Sequence, residues 1–123
     1  MTRRELNGLF ARKSSLFNSR QALAALEDSL SLPGLSPEEK KRLGCNIADL
    51  RQSIQHERAE IEKQEVLARE TLKKIEDDVG RIGAMLHFCE GMPWKRAAAV
   101  LHLNAKPLAQ AVYRSMNAAK IPK

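Results

Sequence analysis

Between Trp94 and Asn117 the chain places Lys95, Arg96, Lys106, Gln110, Tyr113, Arg114 and Asn117, a set of cations, amides and one phenol with no acid among them. Guanidinium, ammonium and amide groups are the chemistry that contacts phosphates and reads base edges in a major groove. Helical spacing organises the set. On a wheel of about 100° per residue with Leu108 at the origin, Val112, Met116, Ala111 and Ser115 gather around it into a small face expected to be buried. Lys106, Gln110, Tyr113, Arg114 and Asn117 then fall between about 140° and 240°, on the opposite side. Such a face would also serve as the solvated side of an ordinary amphipathic helix. The preceding segment and the charge distribution favour DNA.

The elements that must position these groups read as helix, turn, helix. Trp94 to Leu101 forms the first helix, with Trp94, Ala97, Ala98 and Leu101 facing a core and Lys95 and Arg96 facing outward. His102-Leu103 makes the turn. Asn104 is a good N-cap for the second helix, and Pro107 still lies in its first turn, where a missing N–H costs little. Lys95, Arg96 and Arg114 are expected mainly on phosphates and Lys106 with Gln110 on base edges, with Tyr113 and Asn117 able to serve either role. Upstream, Gly80 and Gly83 are expected to loosen the chain before a short helix with Ile82, Met85, Leu86 and Cys89 inward. Gly91-Met92-Pro93 turns it into Trp94, the expected largest buried side chain of the module. The tail Lys120-Ile121-Pro122-Lys123 reads as frayed.

The run Leu86-His87-Phe88-Cys89-Glu90-Gly91-Met92-Pro93-Trp94-Lys95-Arg96-Ala97-Ala98 resembles the fourth region of bacterial primary sigma factors and the related phage regulators of late transcription. That pattern runs leucine, basic, tyrosine, any residue, glutamate, glycine, leucine, serine, tryptophan, any residue, glutamate, isoleucine, alanine. Aromatic, Glu-Gly, Trp and Ala all keep register, and the resemblance spans Ile82 through Arg114. Arg96 stands where the family has an acid, Ala97 where it has isoleucine, His102 in place of the turn glycine, and Asn104 in place of the hydroxyl before the recognition helix. Histidine is among the non-glycine residues enriched at positive φ, so the turn can survive. The resemblance implies a DNA-binding helix-turn-helix and a role in transcription.

Charge divides the chain in the same place. Residues 1–80 carry 14 Lys+Arg and 14 Asp+Glu, whereas residues 81–123 carry seven cations against one acid, Glu90, so the whole excess of +6 lies there. A neutral segment joined to a basic one suggests a division of labour rather than general adhesion. Aromatics make up only 4% of the sequence, which favours long helices over a broad core. No run of about 18 apolar residues suggests a membrane span. Met1-Thr2-Arg3-Arg4-Glu5 lacks the apolar run of a signal peptide, and Cys45 and Cys89 form no CxxC pair, so reduced intracellular thiols are expected.

Residues 1–80 read as a helical hairpin arm. Thr2-x-x-Glu5 has capping-box form, although Arg3 and Arg4 in the first turn oppose the helix dipole. Leu9, Leu16, Leu23 and Leu30 recur seven apart along a helix from about Arg3 to Leu30. Ser36, Pro37 and Glu39 then start a second helix that keeps its pattern to about Val79. Glu38–Arg42, Glu65–Arg69 and Glu70–Lys74 have the spacing of favourable pairs along it. At 1.5 Å per residue these helices measure roughly 42 and 64 Å, so the first reaches only to about residue 65 of the second. Leu67, Leu72, Ile75 and Val79 are left without a hairpin partner. Either the basic module packs back on them or another chain covers them, and a dimer through this stripe is expected.

His87, Cys89 and His102 match no standard zinc spacing. No glycine-rich phosphate loop, HExxH or nucleophile elbow occurs, so no enzyme, metal or cofactor is expected. Residues 1–80 and 81–123 are therefore read as an all-α protein, an antiparallel hairpin arm followed by a three-helix helix-turn-helix module. The expected function is sequence-directed binding of double-stranded DNA by a phage or prophage transcription regulator in the cytoplasm of a bacterial host. The arm would form a homodimer or contact a partner such as RNA polymerase. A small terminase-like packaging subunit and a protein-binding phage inhibitor remain open from the sequence.

Overall fold

Thr2 and Glu5 begin the first helix as their spacing predicts: the Thr2 hydroxyl accepts from the Glu5 N–H at 3.1 Å, and the Glu5 carboxylate accepts from the Thr2 N–H at 2.9 Å. Helix α1 runs Arg3–Leu30, and α2 runs Pro37–Leu72 from a Ser36 cap whose hydroxyl accepts from the Glu39 N–H at 3.1 Å. The computed structural model describes residues 1–123, all-α without a strand, and continues with α3 (Asp78–Ala84), a π-helical turn (Met85–Cys89), α4 (Trp94–Val100) and α5 (Ala105–Ala118). No helix is long and apolar enough to cross a membrane.

The first two helices pair antiparallel. Arg12 meets Glu57 at 2.7 Å near the base, and Glu27 meets Arg51 at 3.1 Å towards the tip. The pairs expected along α2 do not form: Glu65 and Arg69 find partners in other elements, Glu70 pairs one residue nearer, and Glu38 and Arg42 stay unpaired. Glu65 takes Lys13 of α1, Arg69 takes Glu90 at 2.9 Å, and Glu70 takes Lys73 at 3.9 Å. The Lys13 ammonium also donates to the Cys89 carbonyl, so one side chain ties α1, α2 and the π turn together.

Helix α2 ends at Leu72 rather than near Val79, although neither proline nor glycine stops it. Ile75 turns into the core with 1% of its surface exposed, and the Arg81 guanidinium donates to the freed carbonyls of Ile75 and Glu76 at 3.1 and 3.3 Å. Asp77 then caps α3, its carboxylate accepting from the Gly80 N–H at 2.7 Å. Shortened to 36 residues, or about 54 Å, α2 is still longer than the 28-residue α1, but its C-terminal end now lies beside the start of α1. The start of α1 reaches Thr71, whose hydroxyl lies 2.9 Å from the Met1 nitrogen.

This corrects the expected interface stripe. Leu72 and Ile75 are buried within the chain, in one hydrophobic cluster with Leu6, Leu9, Phe88, Leu108 and Met116. Both lie inside the fold and are unavailable to a second chain, while Leu67 and Val79 remain exposed. The same cluster includes Leu16 and Ile61 of the hairpin as well as Ala97 and Val112, so arm and module share a core.

Three more expectations change. Gly80 and Gly83 do not loosen the chain: they are buried where α3 lies against α5, with Gly80 facing Ser115 and Gly83 facing Leu108 and Val112. Facing them to α5 turns Ile82 outward. The tail is held, because Ile121 is buried and its N–H donates to the Met116 carbonyl, while the Arg3 N–H donates to the Pro122 carbonyl at 2.7 Å.

Candidate nucleic-acid interface

The α4–α5 connection closes around His102, which takes the left-handed conformation (φ 57°) where a glycine would be usual. Its N–H donates to the Ala99 carbonyl at 3.2 Å and that of Leu103 to the Ala98 carbonyl at 2.8 Å, so carbonyls at the end of α4 find donors. Asn104 follows in extended conformation as the N-cap of α5, without a side-chain cap bond. Leu108, Val112 and Met116 are buried and fix the rotation of α5, as the helical wheel predicts.

That rotation sets Lys106, Gln110, Arg114 and Asn117 exposed and Tyr113 half-buried along one shallow groove. Lys95 and Arg96 are exposed on α4 and do not line it, so the structure separates them from the five α5 residues. None of Lys95, Arg96, Lys106 or Arg114 forms an ion pair within the chain. The one acid of the module, Glu90, is paired with Arg69. Asp77 borders the other flank of α5 beside Arg114 and Ser115, its carboxylate already committed to the Gly80 N–H. The groove therefore keeps its positive charge, which is the electrostatic requirement for holding phosphate.

One wall of this groove comes from the arm. Arg3, in the first turn of α1, sets its guanidinium carbon 4.5 Å from the centre of the Tyr113 ring and donates to the Asn117 Oδ1 at 3.2 Å. The Tyr113 hydroxyl donates to the Asn7 Oδ1 at 3.4 Å. Tyr113 and Asn117 are thus engaged by α1, whereas Lys106, Gln110 and Arg114 are free of it. Sequence periodicity does not find this contact between residues more than a hundred positions apart. Its one trace is the pair of arginines in the first turn of α1, where the dipole opposes them.

Behind the groove an aromatic column sets the angle between arm and module. The His87 ring stacks between Phe10 of α1, at 4.1 Å between centroids, and Trp94 of α4, at 3.7 Å. Trp94 then meets Tyr113 edge-on at 6.0 Å. Because a carbonyl only accepts, the 2.6 Å contact to the Met92 oxygen places a proton on the His87 Nδ1. Burial pushes the His87 pKa below its usual value of 6.5, and the Met92 hydrogen bond opposes that shift. Trp94 is only half-buried, so Phe88 replaces it as the largest fully buried side chain. No group of three or more His, Cys, Asp or Glu side chains is disposed to hold a metal ion.

No protein-family model, curated protein or solved structure matches this chain.

Proposed function

We propose that this chain is a sequence-directed DNA-binding protein, with α5 entering the major groove and α4 crossing the backbone. The observation that carries the reading is the groove on α5, where uncompensated cations and amides stand together on a helix fixed by its buried opposite face. Lys106 and Gln110 lie in the first half of α5, the part of a recognition helix that meets base edges. Lys95, Arg96 and Arg114 hold phosphates.

The sigma-like pattern from Leu86 to Ala98 supports transcription regulation in a phage or prophage, in the cytoplasm of a bacterial host. RNA polymerase is the partner that pattern suggests for the arm. A homodimer rests on the exposed pair Leu67 and Val79, and one copy is sufficient to form the groove. Selection of bound duplexes from a random pool at physiological salt tests the proposal. Enrichment of a short motif is expected; a pool that stays random through successive rounds overturns sequence-directed binding.

A further inference from the structure

We infer that the nucleic-acid interface is composite, and that Arg3 of α1 supplies a phosphate contact at its edge. This rests on the DNA-binding reading above and adds to it a residue from outside the helix-turn-helix. Sequence alone divides the chain into a neutral arm and a basic head. The structure moves one of the arm's cations onto the head.

Three observations lead there. First, Arg3 lines the same groove as Lys106, Gln110 and Arg114. Second, its guanidinium is already oriented, with its carbon 4.5 Å from the centre of the Tyr113 ring and one bond to Asn117. Stacking on an aromatic face is favourable for arginine, and a side chain held in place loses less freedom on binding. Third, its charge is unspent. Arg3 forms no ion pair, and only one of its five side-chain N–H groups has a partner in the chain.

Position separates a phosphate role from a base-reading one. Tyr113 and Asn117, which hold Arg3, lie in the second half of α5, whereas base edges are met by residues near the start of a recognition helix. A cation beside the second half borders the strand that flanks the groove. Arg3 therefore acts on affinity and salt dependence and leaves sequence preference alone.

The test compares Arg3→Ala, Arg3→Lys, Arg114→Ala and Arg20→Ala in the full chain, by fluorescence anisotropy on a mixed-sequence duplex and on a selected duplex, across a salt series. Arg20 lies on the arm about 25 Å from Arg3 along α1, so its variant makes the same charge change away from the groove. Arg3→Ala should weaken both duplexes by the same factor and lower the log–log salt slope by about 0.9. Its deficit should accordingly shrink about 3- to 4-fold between 50 and 200 mM salt. Arg3→Lys should keep the slope, and Arg20→Ala should track the parent protein. If Arg3→Ala tracks the parent while Arg114→Ala weakens binding, the composite edge is wrong and the α5 reading stands. A base preference altered by Arg3→Ala overturns the phosphate assignment. Should the parent protein show no salt-dependent binding to either duplex, the DNA reading falls and this inference with it.

Discussion

Replacing Gly80 by alanine sets helix propensity against packing, and the two predict opposite signs. In a helix interior alanine is favoured over glycine by about 0.8–1.0 kcal/mol, so propensity alone makes Gly80→Ala stabilising. The added Cβ would stand 2.6 Å from the Ser115 Cβ and closer still to its Oγ. Neither Cβ can swing aside, so α3 and α5 must part, and overpacking of this kind costs about 1–3 kcal/mol. The expected net result is a loss of about 0–2 kcal/mol. Gly83→Ala should cost less, because its Cβ would meet the methyl ends Leu108 Cδ1 at 2.8 Å and Val112 Cγ2 at 3.0 Å. Urea unfolding of Gly80→Ala, Ser115→Gly and their combination measures the coupling. Removing the Ser115 side chain should cancel most of the Gly80→Ala cost, whereas Ser115→Ala, which keeps the Cβ, should cancel only part. A stabilised Gly80→Ala, or additive effects in the pair, would refute the close approach of α3 to α5 that fixes the reading helix.

Three further outcomes follow from burial. The His87 ring should titrate below 6.5 in the folded protein, as followed by NMR, because burial penalises its charged form. The unfolded chain takes up that proton first, so the stability from this group is complete above about pH 6.5 and lost as pH falls towards the lower folded value; a folded value above 6.5 would contradict the buried stack. Phe88→Ala should cost about 3–5 kcal/mol in urea unfolding and exceed Trp94→Ala, since Phe88 is fully buried and Trp94 is not. Leu72→Glu should destabilise the single chain, whereas Leu67→Glu should leave its melting temperature unchanged at concentrations too low for dimers; the reverse order would return Leu72 to an interface between copies.

Much of the fold is legible where local chemistry decides it. Thr2 with Glu5, and Ser36 with Pro37, mark the starts of α1 and α2 because caps satisfy N–H groups within a few residues. The apolar repeat of α5 likewise gives its buried face. The remainder depends on distant groups. Nothing in Lys73-Lys74-Ile75-Glu76 announces the end of α2; the break exists because Ile75 finds the core and Arg81 takes the carbonyls. Gly80 and Gly83 carry the same letters whether they loosen a chain or admit a neighbouring helix. The five groove residues of α5 are visible in the sequence, while the arrival of Arg3 beside them depends on how the hairpin docks.

Base preference, measured for Gln110→Ala and Arg96→Ala on the selected duplex and its single-base variants, tests the reading of α5 most directly. Gln110 is exposed in the groove, and Arg96 is exposed on α4 outside it. Gln110→Ala should cost about 1–3 kcal/mol at one base pair and relax the preference there. Arg96→Ala should weaken every duplex alike and flatten the salt slope by about 0.9. Preference that survives Gln110→Ala but changes with Arg96→Ala would contradict the assignment of α5 as the helix that reads the DNA.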